Sequence, residues 1–332
     1  MSSGLVSFAR GRVRAGAAVL VGLVIAAFAV DRARSGAEAN AVILLVVDTL
    51  RADHLGCYGD PEVRTPGIDR LARNAAQFRC SATAPWTLPA AGSIMTGRLP
   101  SGHGADFPRR RLSGDVPLVA EDFQGAGYRT AAFISHTMVG AEFGFARGFD
   151  VFDESNALGH EHVSSDAVTG LATDWLGGSG TADDDFFLFL HYFDPHYNYV
   201  AHENWTAPGE YGGRIESGMD IWKLRRLIPY LGDGDVDYLR RLYRGEIHLL
   251  DGSLRALFRD LERRGLADRA TVILTADHGE EFLEHGWLGH TRNLREVLLD
   301  IPMIVRSPGR VAPGLRPERA TQLDVRPTLR AA

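Results

Sequence analysis

The chain has 332 residues and a mass of 36.2 kDa, with 45% hydrophobic and 23% charged side chains. That composition excludes a disordered, collagenous or coiled-coil chain and leaves room for one large α/β domain or two smaller ones. A formal net charge of −6 speaks against a nucleic-acid partner held by phosphate neutralisation, and two cysteines are too few for a disulfide framework.

Residues 1–14 carry Arg10, Arg12 and Arg14 and no acid. An uncharged apolar run follows, residues 15–30, closed by Asp31, Arg32 and Arg34. It sits at the short edge of what spans a bilayer, and its positive flank predicts a signal peptide or signal anchor. Residues 31–41 read as a linker; Ala37, Ala39 and Ala41 offer small residues for cleavage. The remainder, 42–332, is then a single domain, membrane-anchored or secreted, on the periplasmic or extracellular side. Cys57 and Cys80 could pair there. Asn204-Trp205-Thr206 is a sequon, a pattern common by chance.

From Val42 the chain alternates. Val42–Val47 (VILLVV) is continuous and apolar, as in a strand buried on both faces. Thr65-Pro66 reads as an N-cap with proline at N1, opening a helix through Phe78. Pro89–Met95 is a short helical stretch. Val116–Gln124 is a helix, Thr130–Ser135 a strand and Val163–Leu176 a helix. Phe186–Leu190 (FFLFL) is a second fully apolar strand. Tyr238–Arg264 is the longest helix, with leucines at steps of three to five. Thr271–Thr275 and Ile301–Val305 are strands. Residues 155–159 and 177–185 are short loops, and 203–235 reads as a polar, aromatic insertion over the sheet edge. The alternation predicts an α/β fold with a mostly parallel central sheet and helices on both faces.

In such sheets ligands sit beyond the carboxyl ends of the strands. Asp48 and Thr49 follow the first strand, and His136 follows TAAFIS. His191, Asp194 and His196 follow FFLFL. Asp277 and His278 follow TVILTA. Four strands thus deliver an acid or imidazole at the same end. Asp277-His278-Gly279-Glu280 sets a carboxylate and an imidazole side by side in a glycine turn, and Asp48 adds a second carboxylate. That mixture suits zinc or manganese; an all-oxygen set would suit calcium or magnesium. His290 and His285 are further possible ligands. Thr87 opens the Pro89–Met95 stretch, where free N–H groups favour anions. A hydroxyl bound there to a divalent cation can attack an ester phosphorus or sulfur.

These stretches resemble the sulfatase branch of the alkaline phosphatase superfamily. The landmarks are VVDTLRADHLGCYG at 46–59, APWTLPAAGSIMTGRLPSGHG at 84–104, GYRTAAFISH at 127–136 and GFARGFDVFD at 144–153. Further on come HYFDPHYNY at 191–199, YRGEIHLLD at 243–251, TADHGEEFLEHG at 275–286 and DIPMIV at 300–305. The resemblance implies an alkaline-phosphatase-like fold and one divalent metal ion (zinc, manganese or calcium) on Asp48, Asp277 and His278. Thr87 would be both ligand and nucleophile. His196 and His136 would be catalytic histidines on the substrate side, and Asp251 structural. Thr49 and His290 are additional candidates for metal or substrate contact.

The departures are specific. Active relatives carry Cys or Ser at position 87, oxidised to formylglycine within C/S-x-P-x-R. This chain has Thr87, with Ala91 in place of the arginine, so no formylglycine is expected. Thr49 replaces a second carboxylate, and His136 and His290 stand in the regions of two lysines. The one lysine, Lys223, lies in no motif. The family continues past the helix marked here by Asp324–Thr328 into a small C-terminal subdomain; four residues follow Thr328, so that subdomain is expected to be missing or truncated. The expected activity is metal-dependent hydrolysis of a sulfate or phosphate ester on a small molecule, glycan or lipid. A non-catalytic binding protein and a phosphoethanolamine-transferase-like enzyme are the alternatives.

Overall fold

The computed structural model describes residues 41–107, 110–158, 164–178, 185–202, 205 and 211–332. The N-terminal apolar run, Asn204 and Thr206 of the sequon, and parts of the loops at 155–159 and 177–185 lie outside the described residues. Among the described residues no helix is long and apolar enough to cross a membrane.

In chain order the strands are β1 (Ala41–Val47), β2 (Ala76–Ser81), β3 (Arg129–Ile134), β4 (Val151–Asp153), β5 (Phe186–Tyr192), β6 (Ala270–Ala276), β7 (Glu281–Phe282), β8 (Leu288–Gly289), β9 (Asp300–Arg306), β10 (Gly314–Leu315) and β11 (Ala320–Thr321). The helices are α1 (Pro66–Arg73), α2 (Thr87–Thr96), α3 (Pro100–His103), α4 (Val119–Gly125), α5 (Ser165–Gly178), α6 (Ile221–Leu227), α7 (Asp233–Arg263), α8 (Glu296–Leu299) and α9 (Val325–Arg330).

The main sheet runs β10-β2-β9-β6-β1-β5-β3-β4, with β11 also on β2. β1 pairs in parallel with β5 and β6, while β9 is antiparallel to both β6 and β2. Every residue of β1, β5 and β6 is buried, as their unbroken apolar runs require when helices cover both faces. One helical layer packs α1 and α5 on α7; the other packs α9 on α2 and α4. In α7, Leu239, Leu242, Tyr243, Ile247, Leu250, Leu254, Leu257 and Leu261 are buried along one stripe. Gly265, at φ 69°, reverses the chain into β6 in a conformation that glycine adopts without a Cβ clash.

The structure corrects five expectations. The first helix stops at Arg73, because Ala76–Ser81 pairs antiparallel with β9; Phe78 belongs to that strand. Thr65 does not cap it through its side chain. Asp251, reaching over from α7, accepts from the N–H groups of Gly67 (3.0 Å) and Ile68 (2.8 Å) instead. The polar stretch before α7 contains α6, which packs on β8 rather than on a sheet edge. Cys57 and Cys80 are both free thiols. The first strand opens at Ala41, one residue before the expected domain boundary.

Candidate active site

The parallel strands β1, β3, β5 and β6 end on one side of the sheet, so their following residues converge. Asp48, Asp277 and His278 are fully buried and bring one ligand atom each within 4.8 Å of one another. His278 Nε2 lies 3.6 Å from Asp48 Oδ1, 3.5 Å from Asp277 Oδ2 and 3.4 Å from Thr87 Oγ1. Thr87 is the first residue of α2, so its hydroxyl stands where the helix presents unpaired N–H groups.

The hydrogen bonds around this group leave the ligand atoms bare. Asp277 Oδ1 accepts from the amides of Thr49 (3.1 Å) and His278 (2.7 Å), whereas its Oδ2 has no partner among the described residues. Among the same residues neither oxygen of Asp48 has one. His278 Nδ1–H donates to the Gly279 carbonyl at 2.9 Å, which fixes the tautomer and leaves Nε2 with its lone pair facing the carboxylates. Burial, together with the charges of Asp277 and Glu280, holds Asp48 well above the usual carboxylate range; the Thr87 hydroxyl acts in the other direction. Burial lowers His278, so the imidazole is neutral and able to coordinate. Two buried carboxylates with three unpartnered oxygens are costly unless a cation joins them. The residues present therefore fit a divalent metal ion.

A second group, Asp48 with His136 and His196, also lies within coordinating distance. Its hydrogen bonds argue against a cation there. His136 Nδ1 accepts the Met138 amide at 3.0 Å, so the ring proton sits on Nε2, 3.8 Å from Asp48 Oδ2. A protonated Nε2 is a donor and offers no lone pair. His196 has the opposite arrangement: Nδ1–H donates to the Tyr197 carbonyl at 2.7 Å and Nε2 is the acceptor. A cavity of about 200 Å³ opens above these groups, lined by Trp86, Thr87, His136, His196, Tyr197 and His290 among others. A larger cavity, about 390 Å³, lies beside Ala270 at the opposite end of β6, away from the strand-end acids and imidazoles.

His290 joins the site: its ring centroid is 4.4 Å from that of His278 and 4.9 Å from that of His196. Its Nδ1 bonds Glu280 Oε1 at 2.9 Å, and Tyr199 donates to Glu280 Oε2 at 2.9 Å. Glu280 is fully buried, and burial pushes it up to about 8 against the pull of His278, Tyr199, Arg225 and Arg51. From sequence Glu280 closed the Asp277–Glu280 element without a role of its own, and Tyr197 and Trp86 were given none. The only available signal for Glu280 was its place two residues beyond the Asp277-His278 pair.

Other strand-end candidates have different work. Thr49 is buried at φ 55°; its amide binds Asp277, its carbonyl accepts from Tyr243 at 2.7 Å, and its hydroxyl has no partner. His191 lies inside β5, and burial lowers it to about 4. Asp194 tethers the start of α5 through the amides of Ser164 (3.1 Å) and Ser165 (2.9 Å). His285 faces Glu281 at 4.0 Å, outside the cluster, and Lys223 is exposed on α6.

A mostly parallel sheet that gathers two carboxylates, an imidazole and a helix-borne hydroxyl at its strand ends defines an α/β protein with a candidate metal centre. The chain belongs to the sulfatase family: the Sulfatase family model matches residues 40–332. It is similar to iduronate 2-sulfatase of Homo sapiens, 26% identical over 89% of this chain and 64% of that protein. It is also similar to human arylsulfatase A, 26% identical over 87% of this chain and 63% of that protein. The chain thus spans less than two thirds of the length of these two relatives. The crystal structure of the phosphonate monoester hydrolase of Agrobacterium radiobacter shares the fold at TM-score 0.70 and 20% identity, over 87% of this chain and 72% of that one.

Proposed function

We propose that this chain is a metal-dependent hydrolase of sulfate or phosphate esters in which Thr87 is the nucleophile. The observation that carries the reading is the convergence of Thr87 Oγ1 with His278, Asp48 and Asp277 in one buried group. A divalent ion held by Asp48, Asp277 and His278, zinc or manganese by the mixed donor set, would lower the pKa of the Thr87 hydroxyl and polarise the ester.

The chain's own residues then divide the remaining work. Thr87 Oγ attacks sulfur or phosphorus, the ester C–O oxygen departs, and a sulfo- or phosphothreonine forms. His136, a fixed Nε2–H donor, holds a non-bridging oxygen. His196 Nε2 takes the Thr87 proton and returns it to the leaving alcohol. Glu280 and Tyr199 orient His290 on the facing wall. Water then attacks the threonine ester, releasing sulfate or phosphate and restoring the hydroxyl. The run at 15–30, with its arginine flank, serves as signal anchor or signal peptide and places the domain on the exported side.

The test is hydrolysis of aryl phosphate, bis-aryl phosphate and aryl sulfate with added Zn²⁺, Mn²⁺ or Ca²⁺, beside Thr87→Ala purified identically. Turnover of one ester by the natural chain alone supports the reading. If no ester is turned over with any metal while both proteins are folded, the catalytic reading falls.

A further inference from the structure

Helix α2 opens at Thr87 with no side-chain cap, so the segment Ala82–Trp86 sets where the Thr87 hydroxyl stands. Two backbone bonds hold the ends of that segment. Ala82 donates its amide to the Leu299 carbonyl at 2.8 Å, and the Pro85 carbonyl accepts the Thr291 amide at 2.9 Å. Between them, Thr83 is bound by a side chain from much further along the chain, that of Gln322.

Strand β11 brings Gln322 there. Ala320 and Thr321 pair in parallel with Cys80 and Ser81 of β2, so the residues that follow on both strands lie level. Asp324 accepts from the Thr321 amide (2.8 Å) and hydroxyl (2.9 Å), closing the turn Gln322–Asp324. Gln322 is fully buried. Its Oε1 accepts from the Thr83 amide (2.8 Å) and the Thr83 hydroxyl (2.8 Å). Its Nε2 donates to the carbonyls of Ala276 (3.1 Å) and Asp277 (2.6 Å). The amide cannot sit the other way round, because a carbonyl does not donate and a backbone N–H does not accept. A primary amide offers two donors and two acceptor lone pairs, and all four are used. Glutamate would lose the donors, asparagine the reach, and methionine every bond.

One side chain thus joins the end of β6, which carries Asp277 and His278, to the segment that delivers Thr87. We propose that Gln322 is a positioning residue that fixes the separation of the Thr87 hydroxyl from the Asp277–His278 end of β6, which is 3.4 Å between Thr87 Oγ1 and His278 Nε2. The assignment rests on the reading of Thr87 as a metal-bound nucleophile. Its test has one readout that needs no turnover.

The full chain is loaded with Co²⁺, whose visible bands report its ligands and geometry. The natural chain is compared with Thr87→Ala, Gln322→Met and Thr83→Val. Thr83→Val keeps the amide bond to Gln322, removes the hydroxyl bond and alters only the side of the clamp that faces α2. Thr87→Ala changes the spectrum, Gln322→Met reproduces that change, and Thr83→Val moves part of the way. In aryl-ester turnover, Gln322→Met lowers kcat by about 10²-fold, the scale of a misplacement of about 1 Å, and leaves KM within about threefold. Adding Thr83→Val to Gln322→Met lowers kcat no further, because both remove the same tie.

A Gln322→Met chain with the natural spectrum and kcat, whatever its Tm, overturns the clamp and leaves a structural residue. Multiplication of the two losses in the double variant also overturns it. If Gln322→Met does not fold, Thr83→Val decides: a shifted spectrum sustains the proposal, and a natural spectrum with natural kcat overturns it. A spectrum indifferent to Thr87→Ala overturns it as well, since the hydroxyl is then not at the metal. If the spectrum answers to Thr87→Ala and Gln322→Met alike while no ester is hydrolysed, the clamp stands and the hydrolase reading falls.

Discussion

The proposed mechanism needs a hydroxyl at position 87 and tolerates a methyl group beside it. Threonine's β-branching restricts χ1, so packing at the start of α2 holds Oγ1 toward His278. Thr87→Ser should keep turnover within about tenfold, the loss reflecting a freer rotor. Thr87→Ala should lose it and show no covalently labelled protein after rapid quenching with a labelled ester. The histidines make a sharper distinction. His278 presents a lone pair and His136 a proton, each fixed by its Nδ1 partner. His278→Ala should therefore abolish the rise in Tm on adding metal. His136→Ala should leave that rise intact and lower kcat by about 10²-fold, the scale of one lost oxyanion donor. Loss of the metal response in His136→Ala would make it a ligand. Asp48, Thr87, Asp277 and His278 were legible in sequence because each follows an apolar run or opens a helix. Glu280 was not: a carboxylate beside ligands reads like any other until its burial is known.

At the scale of elements, legibility followed the strength of the hydrophobic period. β1, β5 and β6 are unbroken apolar runs, and their burial on both faces matches that pattern. β2, Ala-Gln-Phe-Arg-Cys-Ser, carries polar residues and follows a proline-started helix, so local sequence let the helix run on. Only its pairing with β9, more than two hundred residues away, makes it a strand. The cap on α1 was hidden for the same reason, since its carboxylate arrives from α7. Asp194 joins β5 to α5 in a similar way, and burial raises it to about 6, with the charge of Glu246 adding and its bonds to Ser164 and Ser165 opposing. A raised carboxylate contributes stability that is complete below its unfolded pKa, near 4, and lost as pH rises through about 6. Asp194→Asn keeps an acceptor oxygen without the charge. Between pH 4 and pH 7.5, denaturant titrations should show the natural chain losing about 2 kcal/mol relative to Asp194→Asn. Parallel pH profiles for the two proteins would contradict that burial penalty.

For the whole molecule, the candidate metal centre ties together segments that only the sheet topology makes neighbours: the ends of β1 and β6 and the start of α2. Without a cation, the fold brings the buried carboxylates of Asp48 and Asp277 close together, and among the described residues nothing hydrogen-bonded offsets three of their oxygens. That arrangement would destabilise the metal-free protein, and a cation bound there would convert it into a cross-link. Any ion that binds only the folded state stabilises it by mass action, about 2.7 kcal/mol at a hundredfold excess over Kd. At about 2–4 °C per kcal/mol for domains of this order of size, Tm should rise by about 5–10 °C with Zn²⁺ or Mn²⁺ and fall back on chelation. Asp48→Asn removes one of the opposed charges, so its metal-free form should melt above the metal-free natural chain. The same variant should lose most of the metal-induced rise, because an amide oxygen is a weaker ligand than a carboxylate. The two melting curves should therefore cross in order as metal is added. A natural chain whose Tm ignores every divalent ion, or an Asp48→Asn variant less stable than the natural chain in chelator, would show that the two carboxylates are balanced by something other than a cation.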